Sequence, residues 1–335
     1  MKCTRGRWKS VASKITIGLA ACAALNARAV PPTVTLPNGL DLGNTSFLDG
    51  FGGNPGDLAV QSYLTFAHAN AYKTNNGSNS PLFNDPQLNV TTLVEQVLYE
   101  LPTATTILGG HPGIDVIVPL VNLNSSFSPP PPYPGVMPTS GHAGLGDMNL
   151  GALLQWDPVT VDGHPVFVSR AEVYGMLPTG KYDRTTDINP GNHFWGIGIT
   201  GSFTFLLGPD FEISLRPHYQ YSFKNGSPAS SAPLDPGIED TQAGQVFYTN
   251  FAASYKVTDK LRMGINGYYL RQITDNRVNG SAIADSREQV LGIGPGVYYD
   301  LSKGDKFWLN TYTETLVRNR FRNSAVVNLR WIHIF

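Results

Sequence analysis

Residues 211–224 read FEISLRPHYQYSFK. Taking every second position separates Phe211, Ile213, Leu215, Pro217, Tyr219, Tyr221 and Phe223 from Glu212, Ser214, Arg216, His218, Gln220, Ser222 and Lys224. One set carries no charge and the other no hydrocarbon side chain. A period of two is the mark of a strand whose two faces meet different surroundings. A soluble sandwich strand also alternates, so the rest of the chain has to decide what those surroundings are.

The pattern recurs. WGIGITGSFTFL (195–206) sorts Trp195, Ile197, Ile199, Phe203 and Phe205 from Gly196, Gly198, Thr200, Ser202 and Thr204. LRMGINGYYLRQ (261–272), QVLGIGPGVYYD (289–300) and DMNLGALLQWD (147–157) behave alike. Counting such stretches predicts twelve strands, near 57–71, 90–101, 114–125, 147–157, 164–177, 194–206, 210–223, 243–255, 261–272, 289–300, 306–318 and 323–335. Most reach about ten residues or more, whereas strands in soluble domains are typically about five or six. The second is the least clear. VTTLVEQVLYEL has apolar residues at Val90, Val94, Val97, Leu98 and Leu101, a spacing that also suits a helix.

The connections alternate in length. Asn-, Ser- and Pro-rich loops at 72–89, 126–146, 178–193, 224–242 and 273–288 are interleaved with shorter turns such as DPVTVDG (157–163), LGPD and KVTDK. The turn at 102–113 is longer, and the loop after strand eleven shorter, than strict alternation requires. The fold predicted is all-β: a transmembrane antiparallel up-and-down β-barrel of about twelve strands, with long extracellular loops and short periplasmic turns. The apolar set of each strand then faces lipid and the polar set a lumen. Slipping 211–223 by one residue would aim Glu212, Arg216 and His218 at hydrocarbon, and an arginine near the midplane costs about 2–4 kcal/mol. Pro217 removes a ladder hydrogen bond, so a bulge or bend is expected there. The last strand ends SAVVNLRWIHIF, with Ala325, Val327, Leu329, Trp331 and Phe335 on the lipid side and His333 where an aliphatic or aromatic residue is commoner. Its terminal Phe335 is the feature read by the barrel assembly machinery.

Composition fits a turn-rich β protein. Of 335 residues, 35 are Gly, 25 Pro and 31 Tyr or Phe, and only 15% are charged. The first 29 residues read as a signal peptide. Lys2, Arg5, Arg7, Lys9 and Lys14 precede the apolar run Ile15 to Leu25, and Ala27-Arg28-Ala29 suits cleavage after Ala29. Leu19-Ala20-Ala21-Cys22 offers a rival, lipoprotein processing at Cys22. Removing the leader takes away six basic residues and leaves 18 basic against 25 acidic, net −7, which argues against a nucleic-acid partner. Both cysteines lie in the leader, so no disulfide staples the exported body. Residues 30–56, rich in Pro, Gly and Asn, show no period; they form either a flexible lead-in or a plug in the lumen of a barrel spanning 57–335.

Catalytic signatures are missing: no HExxH, GxSxG or phosphate-binding loop occurs, and Gly144-Leu145-Gly146-Asp147 is not followed by a helix. The seven His lack metal-ligand spacing, so neither metal nor other cofactor is expected. The Pro129–Pro132 run reads as a stiff loop. What remains is the inner face. Glu212, Arg216, His218 and Gln220 are predicted to point inward, as are Arg262, Asn266 and Tyr268, Arg170 and Glu172, Asn310 and Glu314, and Asn328 and Arg330. They either cross-brace a narrow barrel or line a route for solute. Twelve strands fall between the eight that side chains can fill and the sixteen that leave an aqueous channel.

The chain resembles the outer-membrane proteins named for the meta-cleavage pathway of phenol degradation. The stretches that carry the likeness are GLGDMNLGALLQW (144–156), LPTGKYD (177–183) with NPGNHFWGIGI (189–199), LRPHYQYSF (215–223), INGYYLRQITDNRVNG (265–280) and LGIGPGVYYD (291–300), in that order, from about residue 57 to the end. The resemblance implies a non-enzymatic barrel that takes up small aromatic or other hydrophobic compounds by facilitated diffusion, with outer-membrane lipid and the solute as partners. The alternatives are a structural or adhesion barrel without a conduit, and a lipid-modifying enzyme with Ser and His at its rim.

Overall fold

The computed structural model describes residues 33–129 and 137–335, so the leader, Cys22, the Ala29 cleavage site and most of the proline run lie outside the described residues. Twelve strands form the wall: β1 (Leu58–Tyr72), β2 (Asn84–Glu100), β3 (His111–Ser128), β4 (Met148–Gln155), β5 (His164–Leu177), β6 (Gly196–Leu207), β7 (Phe211–Ser222), β8 (Val246–Lys256), β9 (Leu261–Gln272), β10 (Gln289–Asp300), β11 (Asp305–Arg318) and β12 (Phe321–Ile334). Each pairs antiparallel with its neighbours in sequence, and β1 pairs with β12, which closes the sheet. The barrel predicted from alternation is present. No helix occurs among the described residues.

The register is the one lipid demands. On β7 Leu215 is 38% exposed on the outer face while Glu212, three residues away on the inner face, is fully buried. Aromatic rings gather near both rims. Tyr72, Phe83, Phe127 and Phe321 pack together at the long-loop end in T-shaped and tilted pairs, and Phe307 lies against Trp331 near the other. Such rings suit an interface that is oily on one side and wet on the other. Polar exceptions on the outer face pair with each other: Ser62 Oγ donates to Glu95 Oε2 at 2.7 Å, and His68 Nδ1 lies 2.7 Å from Asn89 Oδ1.

The second segment is the strand expected of it despite its ambiguous spacing, and with its partner it is the longest in the wall, 17 and 18 residues. Two local expectations need correction. The stretch 157–163 is not a bare turn: Val159–Val161 folds back on the start of β5. Pro217 makes no bulge. The β7 register on β6 and β8 stays constant through it, and the β6–β7 ladder simply skips the pairs at Gly201 and Ser202. The missing N–H is accommodated opposite a glycine, and the Pro217 carbonyl still accepts from Thr200 Oγ1 at 3.1 Å.

The lipid-facing register has a direct test. Leu215→Arg should lower unfolding stability in lipid vesicles by about 2–4 kcal/mol, read as a shift in the urea midpoint. An unchanged midpoint would mean that the Leu215 face does not meet hydrocarbon.

Candidate functional site

The barrel is threaded by its own N-terminal segment. Thr33 is held among the long loops, its amide donating to the Ala229 carbonyl at 3.3 Å and its hydroxyl to Asp187 at 2.8 Å. From there the chain descends through the lumen to β1. A stretch rich in Pro, Gly and Asn builds no ladder of its own, yet its buried amides and carbonyls still need partners. The wall supplies them. Asn250 accepts from the Gly43 amide at 2.9 Å, Tyr312 donates to the Gly43 carbonyl at 2.7 Å, and Trp308 donates to the Phe47 carbonyl at 3.1 Å. Lower down, the Gly50 amide donates to Thr204 at 2.8 Å. Gly43 has φ +78° and lies under two rings; a Cβ there would stand 2.7 Å from Tyr312 and 2.9 Å from Tyr268. No other residue fits that bend.

Charge fixes the same segment. Arg216 on β7 places Nε 2.7 Å from Asp49 Oδ2 and an outer nitrogen 3.4 Å from Asp41 Oδ2. Arg330 on β12 reaches Asp49 from the other side, at 3.9 Å, with its guanidinium 4.4 Å above the Trp308 ring. A guanidinium out of water is tolerable only when paired, and the pairing falls on the threaded segment rather than on another strand. Beside it, His218 stacks flat on Tyr248 with centroids 4.2 Å apart. Its Nε2 is 3.7 Å from Asp41 Oδ2, too far for a hydrogen bond, and neither ring nitrogen has a hydrogen-bonding partner.

Between residues 38–44 and the wall lies a cavity of about 200 Å³. One side is polar: Arg216, His218 and Asp41, with the Tyr63 and Tyr174 rings. The other is apolar. Val94 on β2 and Ile117, Pro119 and Val121 on β3 face it, joined by Leu40 and Leu42 of the threaded segment. On the other strands the inward set is chiefly polar. Here hydrocarbon enters it, with Thr92 and Gln96 of β2 still turned inward on either side of Val94, which is why the sequence of β2 lost its clean alternation.

The thirteen residues predicted to face the lumen are all buried within the barrel. They do not form one site. Glu172, Arg216 and His218 border the cavity. Asn310 accepts from Ser46, Asn328 donates to Asn44, and Glu314 accepts from Tyr268. Glu212 accepts from Ser214 and Ser254, and Arg262 donates to Ser254 and to the Asp210 carbonyl. Gln220 accepts from Tyr174 at 3.2 Å. Arg170 stands two residues before Glu172, which reaches over Gly151 toward Asp115; a Cβ on Gly151 would collide with both carboxylates. Asn266 packs against Gly296 and leaves its amide unpaired. Sequence reasoning missed the apolar half of the cavity; for the threaded segment it offered a plug beside a flexible lead-in but named none of the contacts that residues 38–44 make. The only trace of the first was the helix-like spacing in VTTLVEQVLYEL; the second has no periodic trace.

The family model described as "Putative MetA-pathway of phenol degradation" matches residues 69–331. Among solved structures, an outer-membrane channel from Pseudomonas putida F1 is similar over 85% of this chain and 97% of its own, at 17% identity and a TM-score of 0.69. The β-domain of the Bordetella autotransporter Brka is similar over 84% of this chain and 100% of its own, at 10% identity and a TM-score of 0.46. At these identities the likeness is one of fold. No curated protein matches the chain.

If Arg216 pins the threaded segment, Arg216→Met takes the guanidinium from Asp41 and leaves Asp49 only the more distant Arg330. Breaking a buried pair costs about 3–5 kcal/mol. The variant should melt at lower temperature in detergent, and limited proteolysis should cut within residues 33–56 where the parent chain resists. Equal protection of both would mean that the arginine does not secure the segment.

Proposed function

Since the chain belongs to the family described as the putative MetA-pathway of phenol degradation, we propose that it is an outer-membrane channel for facilitated uptake of small hydrophobic, chiefly aromatic, molecules. The observation that carries this reading is the inward-facing hydrocarbon of β2 and β3. A lumen meant only to be cross-braced gains nothing from Val94, Ile117, Pro119 and Val121 turned toward open space, whereas a cavity for an apolar guest needs them. The volume suits one ring: an engineered apolar cavity of about 150 Å³ binds benzene.

In this reading a molecule enters between the loops 178–195 and 223–245 and rests against the β2–β3 wall. It then passes toward the periplasm as the threaded segment gives way. Export by the N-terminal leader, with cleavage after Ala29, and insertion by the barrel assembly machinery through Phe335 complete the picture. The outward apolar band meets outer-membrane lipid. The competing reading, a structural barrel without a conduit, draws on the hydrogen bonds that tie residues 33–50 to the wall.

The two separate on uptake. A strain lacking the gene should accumulate a labelled monoaromatic at micromolar supply several-fold more slowly than its parent. Val94→Asp with Val121→Asp should fail to restore the rate while keeping the heat-modifiable gel shift of a folded barrel. Equal uptake with and without the gene would favour the structural barrel.

A further inference from the structure

The polar side of the cavity says which ring it takes. Resting on the channel reading above, we propose that Asp41 and His218 form a polar anchor that accepts an uncharged, hydroxyl-bearing ring and turns away a carboxylated one.

Four observations converge on this anchor. Among the side chains bordering the cavity, Asp41, Asp147 and Glu172 are acidic and Arg216 is the one arginine. Arg216 is already engaged by Asp49 and Asp41, so it offers little to a second anion. Asp147 is spent on structure: it accepts from the Gly180 amide at 2.9 Å and from the Asn192 amide and side chain at 2.7 and 2.9 Å. What is left over is specific. Asp41 Oδ1 and both His218 nitrogens are buried without a hydrogen-bonding partner. The His218 side chain is only 4% exposed, and its ring is locked against Tyr248.

A hydroxyl both donates and accepts. Placed between Asp41 and His218 it would give a proton to one and take a hydrogen bond from the other. Its ring would lie toward Val94, Ile117 and Val121. A carboxylate only accepts, and it would face Asp41 as a like charge. A ring without a polar group would fill the apolar side and leave the anchor unpaired, which is the situation in which buried polar groups discriminate most strongly.

The test uses the full-length protein purified in detergent at neutral pH and three methylbenzenes that differ only in the group para to the methyl: p-cresol, toluene and p-toluate. Calorimetric titration should rank p-cresol first and p-toluate last, at least about tenfold apart. His218→Phe, which keeps the stack on Tyr248, should lower the p-cresol to toluene affinity ratio about tenfold. Asp41→Asn should raise p-toluate relative to p-cresol. A purely structural role for either residue would move all three ligands together. Binding of p-toluate equal to or tighter than p-cresol, or an unchanged cresol-to-toluene ratio in His218→Phe, overturns the anchor and leaves the channel reading standing. Failure of all three rings to bind removes both.

Discussion

In two places the backbone of this chain has to find its hydrogen-bonding partners without help from water. In the bilayer the constraint is familiar. Only a closed ladder leaves no edge in hydrocarbon, so β1 and β12 must meet. Inside the barrel the same constraint returns in another form. Residues 43–50 run through a space too narrow for bulk solvent and too irregular for a ladder. The inner faces of β6, β8 and β11 therefore present Thr204, Asn250, Trp308 and Tyr312 to the passing backbone. Inward polarity in this barrel is first of all a matter of satisfying the segment it encloses.

That accounts for what could be read in advance. The outer face is selected by one homogeneous solvent, so its signal is regular. FEISLRPHYQYSFK gave β7, its register and its lipid side from spacing alone. Each strand end shifted by a few residues at most, apart from β2, which begins six residues before the stretch read as its start. The inner face answers to many different partners, so its residues could be named but not assigned. Arg216 was legible as inward; that it grips Asp41 and Asp49 was not, because an aperiodic segment gives no clue to its path. Pro217 was misjudged for a related reason. The rule that proline breaks ladders holds, but the cost depends on what lies opposite, and a glycine there makes it small.

Arg216 also shows how one side chain couples the two halves of the lumen. Its guanidinium lies between Asp49, deep in the packed part of the threaded segment, and Asp41, which borders the cavity. Anything that draws Asp41 toward a guest alters the pairing that holds the segment below. A buried ion pair contributes little net stability but is costly to break halfway. Such a contact is better suited to holding one of two arrangements than to adding rigidity.

The apolar inner wall brings a difficulty of its own. A strand with one oily and one polar face is fixed in register, because a slip by one residue turns every side chain to the wrong side. β2 and β3 are oily on both faces around Val94 and Val121, so this protection is lost where the cavity needs it lost. The chain compensates by other means. The pair is extended to 17 and 18 residues, which multiplies the ladder bonds that a slip must break. Polar pins are set at one end of the apolar stretch: Gln96 donates to Asp115 at 2.6 Å and accepts from Tyr63 at 2.9 Å inside, while Ser62 donates to Glu95 outside. A one-residue slip of β2 would carry Gln96 out to lipid and Glu95 into the lumen. An otherwise puzzling carboxylate on the outer face thus has a role: with Gln96 it marks the register of a wall whose hydrocarbon can no longer mark it.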